Sequence, residues 1–142
     1  MIRELEAGEW PRLCEMIRAA SLELERYGTP RYDEALIALV HRSLMDCQPV
    51  FVAVEDGRPV GYCAWVKVPG TPEGLITGAG TYVDPEHRRR GLAKELRAAA
   101  ADHWRERGAR CVRGTVAPGN DAAREALRDG WQVVGLEVEM TL

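Results

Sequence analysis

The residues of this chain best suited to chemistry lie in one run: Tyr82, Val83, Asp84, Pro85, Glu86, His87, Arg88, Arg89, Arg90, Gly91, Leu92, Ala93 and Lys94. A β-like segment leads in, Asp84-Pro85 makes a tight turn, a short basic loop follows, and a helix starts behind it. A loop of this kind turns several backbone N–H groups to one side, and the helix adds the positive end of its dipole. Together they can hold a phosphate or pyrophosphate with little help from side chains. Gly91 permits close backbone approach, Ala93 keeps the first turn slim, and Arg88, Arg89 and Arg90 put charge at the rim. The same residues also fit a plain helix start with a solvated arginine cluster.

Other reactive side chains are scattered. Cys14, Cys47, Cys63 and Cys111 show no C-x-x-C spacing and each sits in an apolar stretch, which predicts buried free thiols. His41, His87 and His103 lack a metal-ligand spacing, so no metal is expected. His103 reads as a packing or solvated helix residue. His87 reads as a phosphate contact or as a turn residue.

The elements that must position the basic loop follow from periodicity. Residues 1–6 suggest a short strand. Trp10, Leu13, Cys14, Ile17, Ala20 and Leu24 recur at helical spacing over residues 10–26, and Gly28-Thr29-Pro30 breaks that helix. Asp33 is a plausible N-cap for a second helix carrying Leu36, Leu39, Val40 and Leu44. Residues 50–54 and 60–68 read as strands joined by the hairpin signal Asp56-Gly57. Residues 75–83 read as the strand entering the loop, with Gly78 and Gly80 marking a bulge, a close approach or a weak strand. After the loop, Leu92, Leu96, Ala100 and Trp104 define a helical face that Gly108 ends. Residues 111–116 predict a strand, 121–129 a short helix, and 131–142 a last strand that Gly135 could divide.

The resulting order, β-α-α-β-β-β-α-β-α-β with room for one more strand, predicts an α/β chain with a mixed sheet and helices on both faces. A length of 142 residues fits one domain over 1–142. Hydrophobic residues at 46% and charged residues at 29% are ordinary for a globular chain. No apolar run reaches about 18 residues, and the first residues are acidic where a signal peptide is apolar, so a cytoplasmic protein off the membrane is expected. A net charge of −3 makes the arginines a local patch, which disfavours nucleic-acid partners.

The pattern Arg88-x-x-Gly91-x-Ala93, after a strand ending Val83-Asp84-Pro85, resembles the acetyl-CoA signature of the GNAT N-acetyltransferase superfamily. Asn120 followed by Ala123 and Gly130-Trp131 resembles that superfamily's Asn-containing helix, although Asn120 also suits a helix cap. The element order is similar to the GNAT fold across nearly the whole chain.

The resemblance implies acetyl-CoA as cosubstrate and direct acetyl transfer to a primary amine, on a small molecule or a protein N-terminus. It implies that Thr81, Tyr82 and Val83 meet the pantetheine arm and the thioester. A backbone N–H near Thr81 would meet the thioester carbonyl. Arg88, Arg89, Arg90, Gly91, Leu92, Ala93 and Lys94 would hold the pyrophosphate, with Asn120 near the pantetheine. The chain departs from the pattern where many members carry a proton-donating Tyr: that position holds Ala126 or Leu127. No base stands in strand 75–83. Glu73 lies just before that strand, Tyr27 and Tyr32 flank the helix break that borders the implied acceptor region, Glu23, Glu25 and Glu34 lie near them in sequence, and none is singled out as catalytic. These departures leave a non-catalytic acyl-CoA-binding module as the alternative. A single C-terminal strand would leave an edge that a homodimer could cover.

Overall fold

The computed structural model describes residues 1–142 except 30, 47–48, 118, 122–124, 126–127 and 136–137. Its strands are β1 (Ile2–Glu4), β2 (Val50–Glu55), β3 (Arg58–Val66), β4 (Leu75–Val83) and β5 (Cys111–Arg113), and its helices are α1 (Trp10–Leu24), α2 (Glu34–Asp46) and α3 (Leu92–Glu106). The strands form one sheet in the order β1-β2-β3-β4-β5, antiparallel except for the β4–β5 pair.

The local signals act as expected in the first half. Asp56 and Gly57 both take positive φ, 48° and 74°, the twist a two-residue hairpin needs. Asp33 Oδ1 accepts the Leu36 N–H at 2.8 Å, capping α2. Alternation then sorts the sheet into two faces. Val50, Val52, Val54, Tyr62, Ala64 and Tyr82 pack with Leu13, Met16, Ile17, Ile37 and Leu44 of α1 and α2. Ala53, Cys63, Trp65, Ile76 and Val83 pack with Leu96 and Ala100 of α3 on the other side.

Three expectations change. The strand predicted at 111–116 stops at Arg113, directly before Gly114, a residue type that weakens a strand. Residues 131–135 and 138–142 form no strand, and Val133, Val134, Val138, Met140 and Leu142 are exposed there. The thiols are not uniformly buried: Cys63 is, Cys14 is partly so, and Cys111 on the edge strand is exposed. Cys47 lies outside the described residues. Burial pushes the Cys63 thiol up to about 11. Asp121, Glu125 and Arg128 are helical, while the remainder of the predicted 121–129 helix includes undescribed positions. Among the described residues no helix is long and apolar enough to cross a membrane.

Candidate functional site

Strand β4 does two jobs along its length. Leu75, Ile76 and Thr77 pair with Cys111, Val112 and Arg113. Among the described residues no pair joins the two strands beyond Thr77. From Gly78 onward, among the described residues, β4 pairs with β3 alone, through Trp65↔Gly78, Cys63↔Thr81, Tyr62↔Tyr82 and Gly61↔Val83. The outer edge of that half therefore faces an opening between β4 and β5.

Two glycines shape the opening. The β3–β4 register shifts between Cys63 and Trp65, opposite Thr81 and Gly78. Gly80 takes φ 132°, and a Cβ there would stand 3.2 Å from Tyr62 Oη. A Cβ on Gly78 would meet Arg113 O at 3.5 Å and Gly114 Cα at 3.7 Å, ordinary contact distances beside the point where the β4–β5 pairing ends. The bulge reading holds here, at the register shift between β3 and β4, while the tight contact at Gly80 is with a side chain rather than with backbone.

The side chains of β4 around the opening are committed elsewhere. Tyr82 and Val83 are buried in opposite faces of the sheet, and Thr81 Oγ1 donates to Cys63 Sγ at 3.4 Å. Their main chain is what the opening offers. Burial is the main cause raising the Tyr82 phenol pKa, with the Asp84 and Glu23 carboxylates adding to it. Tyr62 is raised by burial as well, so both phenols stay protonated at neutral pH.

Beyond Val83 the chain makes a 3₁₀ turn, Pro85–His87, in which the N–H groups of His87 and Arg88 donate to Asp84 O and Pro85 O. The next six donors differ. Among the described residues, the N–H groups of Arg89, Arg90, Gly91, Leu92, Ala93 and Lys94 have no acceptor, and the helix ladder begins with Glu95 N–H to Gly91 O at 3.0 Å. Arg89 at φ 62° and Gly91 at φ 81° curl this stretch. Backbone curled in this way at a helix start is an anion-binding concavity. The non-glycine Arg89 holds a conformation that costs about 1 kcal/mol.

The three arginines separate in space. Arg88 turns back: its Nε donates to Val83 O at 2.8 Å, its Nη2 donates to Glu23 Oε1 at 2.6 Å, and its guanidinium lies 5.5 Å over the Tyr82 ring. Arg90 reaches Glu55 at 3.3 Å and Glu86 O at 3.3 Å. His87 Nε2 also meets Glu55 Oε2, at 3.2 Å. Arg89 and Lys94 make no side-chain hydrogen bond or ion pair among the described residues. Arg12 of α1 bridges Asp84 and Pro59 O, tying α1 to the loop's first residue. A cavity of about 390 Å³ behind the loop has Arg12 and Arg58 on its walls with Glu55, Glu86 and His87.

Sequence reasoning missed Glu55, which receives both His87 and Arg90. Only its place beside the Asp56-Gly57 turn hinted at a rim position. The three glutamates singled out near the acceptor region are each engaged: Glu23 with Arg88 at 2.6 Å, Glu25 with Arg31 at 2.8 Å, and Glu34 with Arg18 at 2.8 Å. Tyr32 N–H donates to the buried Ser21 Oγ at 2.7 Å, and Arg26 lies over the Tyr27 ring. His103 packs edge-on to Phe51, and burial lowers its pKa. Asn120 directly precedes helical Asp121, a cap position, and its N–H donates to Ala117 O at 3.2 Å. Ala123, Ala126 and Leu127 lie outside the described residues.

Comparison with known proteins adds a family. The model of the acetyltransferase (GNAT) family matches residues 4–131. No curated protein sequence matches the chain. Among solved structures, the aminoglycoside acetyltransferase AAC(6')-Iy with the bisubstrate analogue CoA-S-monomethyl-acetylneamine superposes with a TM-score of 0.75 at 18% identity, covering 100% of this chain and 97% of that one. An aminoglycoside acetyltransferase from an uncultured soil metagenomic sample, bound to sisomicin, gives a TM-score of 0.73 at 21% identity, covering 100% of this chain and 95% of that one. A transcriptional regulator from Bacillus halodurans C-125 gives 0.76 at 19% identity, covering 100% and 99%. At these identities the likeness is one of fold, shared by proteins with different roles.

Proposed function

The chain belongs to the GNAT family of acetyltransferases, and from that membership we propose that it moves the acetyl group of acetyl-CoA to a primary amine by direct attack in a ternary complex. One observation carries the reading. Among the described residues, six consecutive backbone N–H groups without acceptors, from Arg89 to Lys94, follow a strand half whose outer edge is unpaired. The first feature suits a pyrophosphate, and the second suits an extended, amide-bearing arm.

In this reading the pyrophosphate sits on the main chain of Arg89, Arg90, Gly91, Leu92, Ala93 and Lys94. The free side chains of Arg89 and Lys94 supply charge. The pantetheine lies along the open edge of Thr81, Tyr82 and Val83, with Asn120 near its other side. A β4 N–H near Thr81 donates to the thioester carbonyl. Negative charge grows on that oxygen as the neutral amine attacks, so a fixed donor lowers the barrier by about 3 kcal/mol. The C–S bond then breaks, the sulfur leaves as thiolate and takes a proton from water, and the new amide nitrogen loses one to water. No catalytic side chain is assigned.

The acceptor is a small-molecule amine or a protein N-terminus. Two similar structures were solved with aminoglycoside-type ligands, which favours a small amine. Pairing of Glu23, Glu25 and Glu34 with arginines leaves none of them as a dedicated ammonium site without a rearrangement.

A thermal-shift titration with acetyl-CoA, CoA, ATP and NAD tests the reading. At ~100 times its dissociation constant a ligand stabilises the folded state by about 2.7 kcal/mol. The expected result is a shift with acetyl-CoA and CoA but not with NAD, followed by thiol release in an amine screen. No shift with either CoA species overturns it.

A further inference from the structure

Arg88 is the first fixed position of the basic motif, yet its side chain points away from the unpartnered N–H groups. The reversal has a local cause. Arg88 is extended, at φ −73° and ψ 166°, and Arg89 then turns left-handed at φ 62°, so consecutive side chains leave the loop in different directions. Three contacts take up the Arg88 guanidinium. Its Nε donates to the last carbonyl of β4, Val83 O, at 2.8 Å. Its Nη2 donates to Glu23 Oε1 near the end of α1, at 2.6 Å. Its Cζ lies 5.5 Å from the centre of the Tyr82 ring, which is itself buried among α1 and α2 side chains.

We propose that Arg88 is a positioning residue rather than a phosphate ligand, a clamp that fixes the start of the anion-binding loop against helix α1 through Glu23. The inference rests on the acetyl-CoA reading of that loop and assigns Glu23 a part in it, although Glu23 lies 65 positions away in sequence. A loop held in one shape binds its anion with full affinity. A loop that spends only a fraction of its time in that shape binds more weakly by that fraction. With side chains 40% and 36% exposed, the Arg88–Glu23 pair has the strength of a surface contact. Removing it therefore weakens binding about two- to fivefold, not by orders of magnitude.

Glu23 separates the two roles of Arg88. If Arg88 were a phosphate ligand held off by Glu23, the Glu23→Gln variant would release it and bind acetyl-CoA more tightly. The clamp predicts the opposite sign. Calorimetric titration of acetyl-CoA into the wild type, Glu23→Gln, Arg88→Gln and the double variant is expected to show both single variants about two- to fivefold weaker, with the double variant no weaker than either. Unchanged or tighter binding in Glu23→Gln, or losses that add in the double variant, overturns the proposal.

A second readout needs no ligand. Trypsin cleaves after Arg89 and Arg90 only when the loop opens, so the clamp predicts faster cleavage there in Glu23→Gln than in the wild type, at equal melting temperature. Equal cleavage rates also overturn it. If the wild type binds no acetyl-CoA while cleavage still accelerates, the cosubstrate reading fails and the clamp stands.

Discussion

Replacing Gly80 by alanine tests whether the bulge in β4 is built the way its geometry says. Two costs combine. The φ of 132° lies in a region nearly reserved for glycine, and a side chain forced there costs about 1–3 kcal/mol. The new Cβ would also stand 3.2 Å from Tyr62 Oη, and Tyr62 is only 4% exposed, so its ring has little room to retreat. That crowding adds about 1 kcal/mol. The sum, about 2–4 kcal/mol, should lower the urea midpoint at an unchanged slope. The two costs separate in a Tyr62→Phe background. With the oxygen gone, the nearest ring atoms lie at 3.5 and 3.7 Å, ordinary contact distances. Gly80→Ala should then cost about 1 kcal/mol less than in the wild type. A Gly80→Ala variant that loses under ~0.5 kcal/mol, or an identical loss in both backgrounds, would refute the reasoning.

Four further outcomes follow from contacts described above. Leu96 is fully buried under the sheet, so Leu96→Ala should cost about 2–5 kcal/mol in a denaturant titration. Arg12→Ala removes the donors to Pro59 O and to the Asp84 carboxylate, which is only 18% exposed, and should cost about 1–3 kcal/mol by the same measurement. Cys63 should resist a thiol reagent at pH 8 in the folded protein while Cys111 reacts at once, as mass spectrometry of the labelled peptides would show. Its thiol is raised from 9.0 to about 11, so its contribution to stability is complete below pH 9 and is lost as pH rises toward 11; a Cys63→Ser variant should lose that part of the alkaline dependence.

Features written in adjacent residues were legible in the sequence. Asp56-Gly57 specified a hairpin because both positions needed positive φ, and Asp33 specified a cap because its carboxylate reaches an N–H three residues on. The loop's run of free N–H groups was legible for the same reason, being a matter of turn and helix start. The direction of Arg88 was not, because it depends on Glu23 from a distant helix. Nor was the convergence of His87 and Arg90 on Glu55. The truncation of β5 also escaped, although Gly114 directly after Arg113 marks the place where the strand ends. Cys111 looked buried from its apolar neighbours, but a short edge strand leaves one side open.

The half of β4 that has no outer partner among the described residues has a consequence for colloidal behaviour. A strand that shows its N–H and C=O groups to water is a template on which another chain can build. Here the template is irregular: the register shifts opposite Ala64, Gly80 twists out of extended geometry, and the charged turn at Asp84 follows closely. Those irregularities keep a recruited strand from finding a continuous ladder. A sheet with an open edge can discourage such recruitment by making that edge a poor match for anything long and straight.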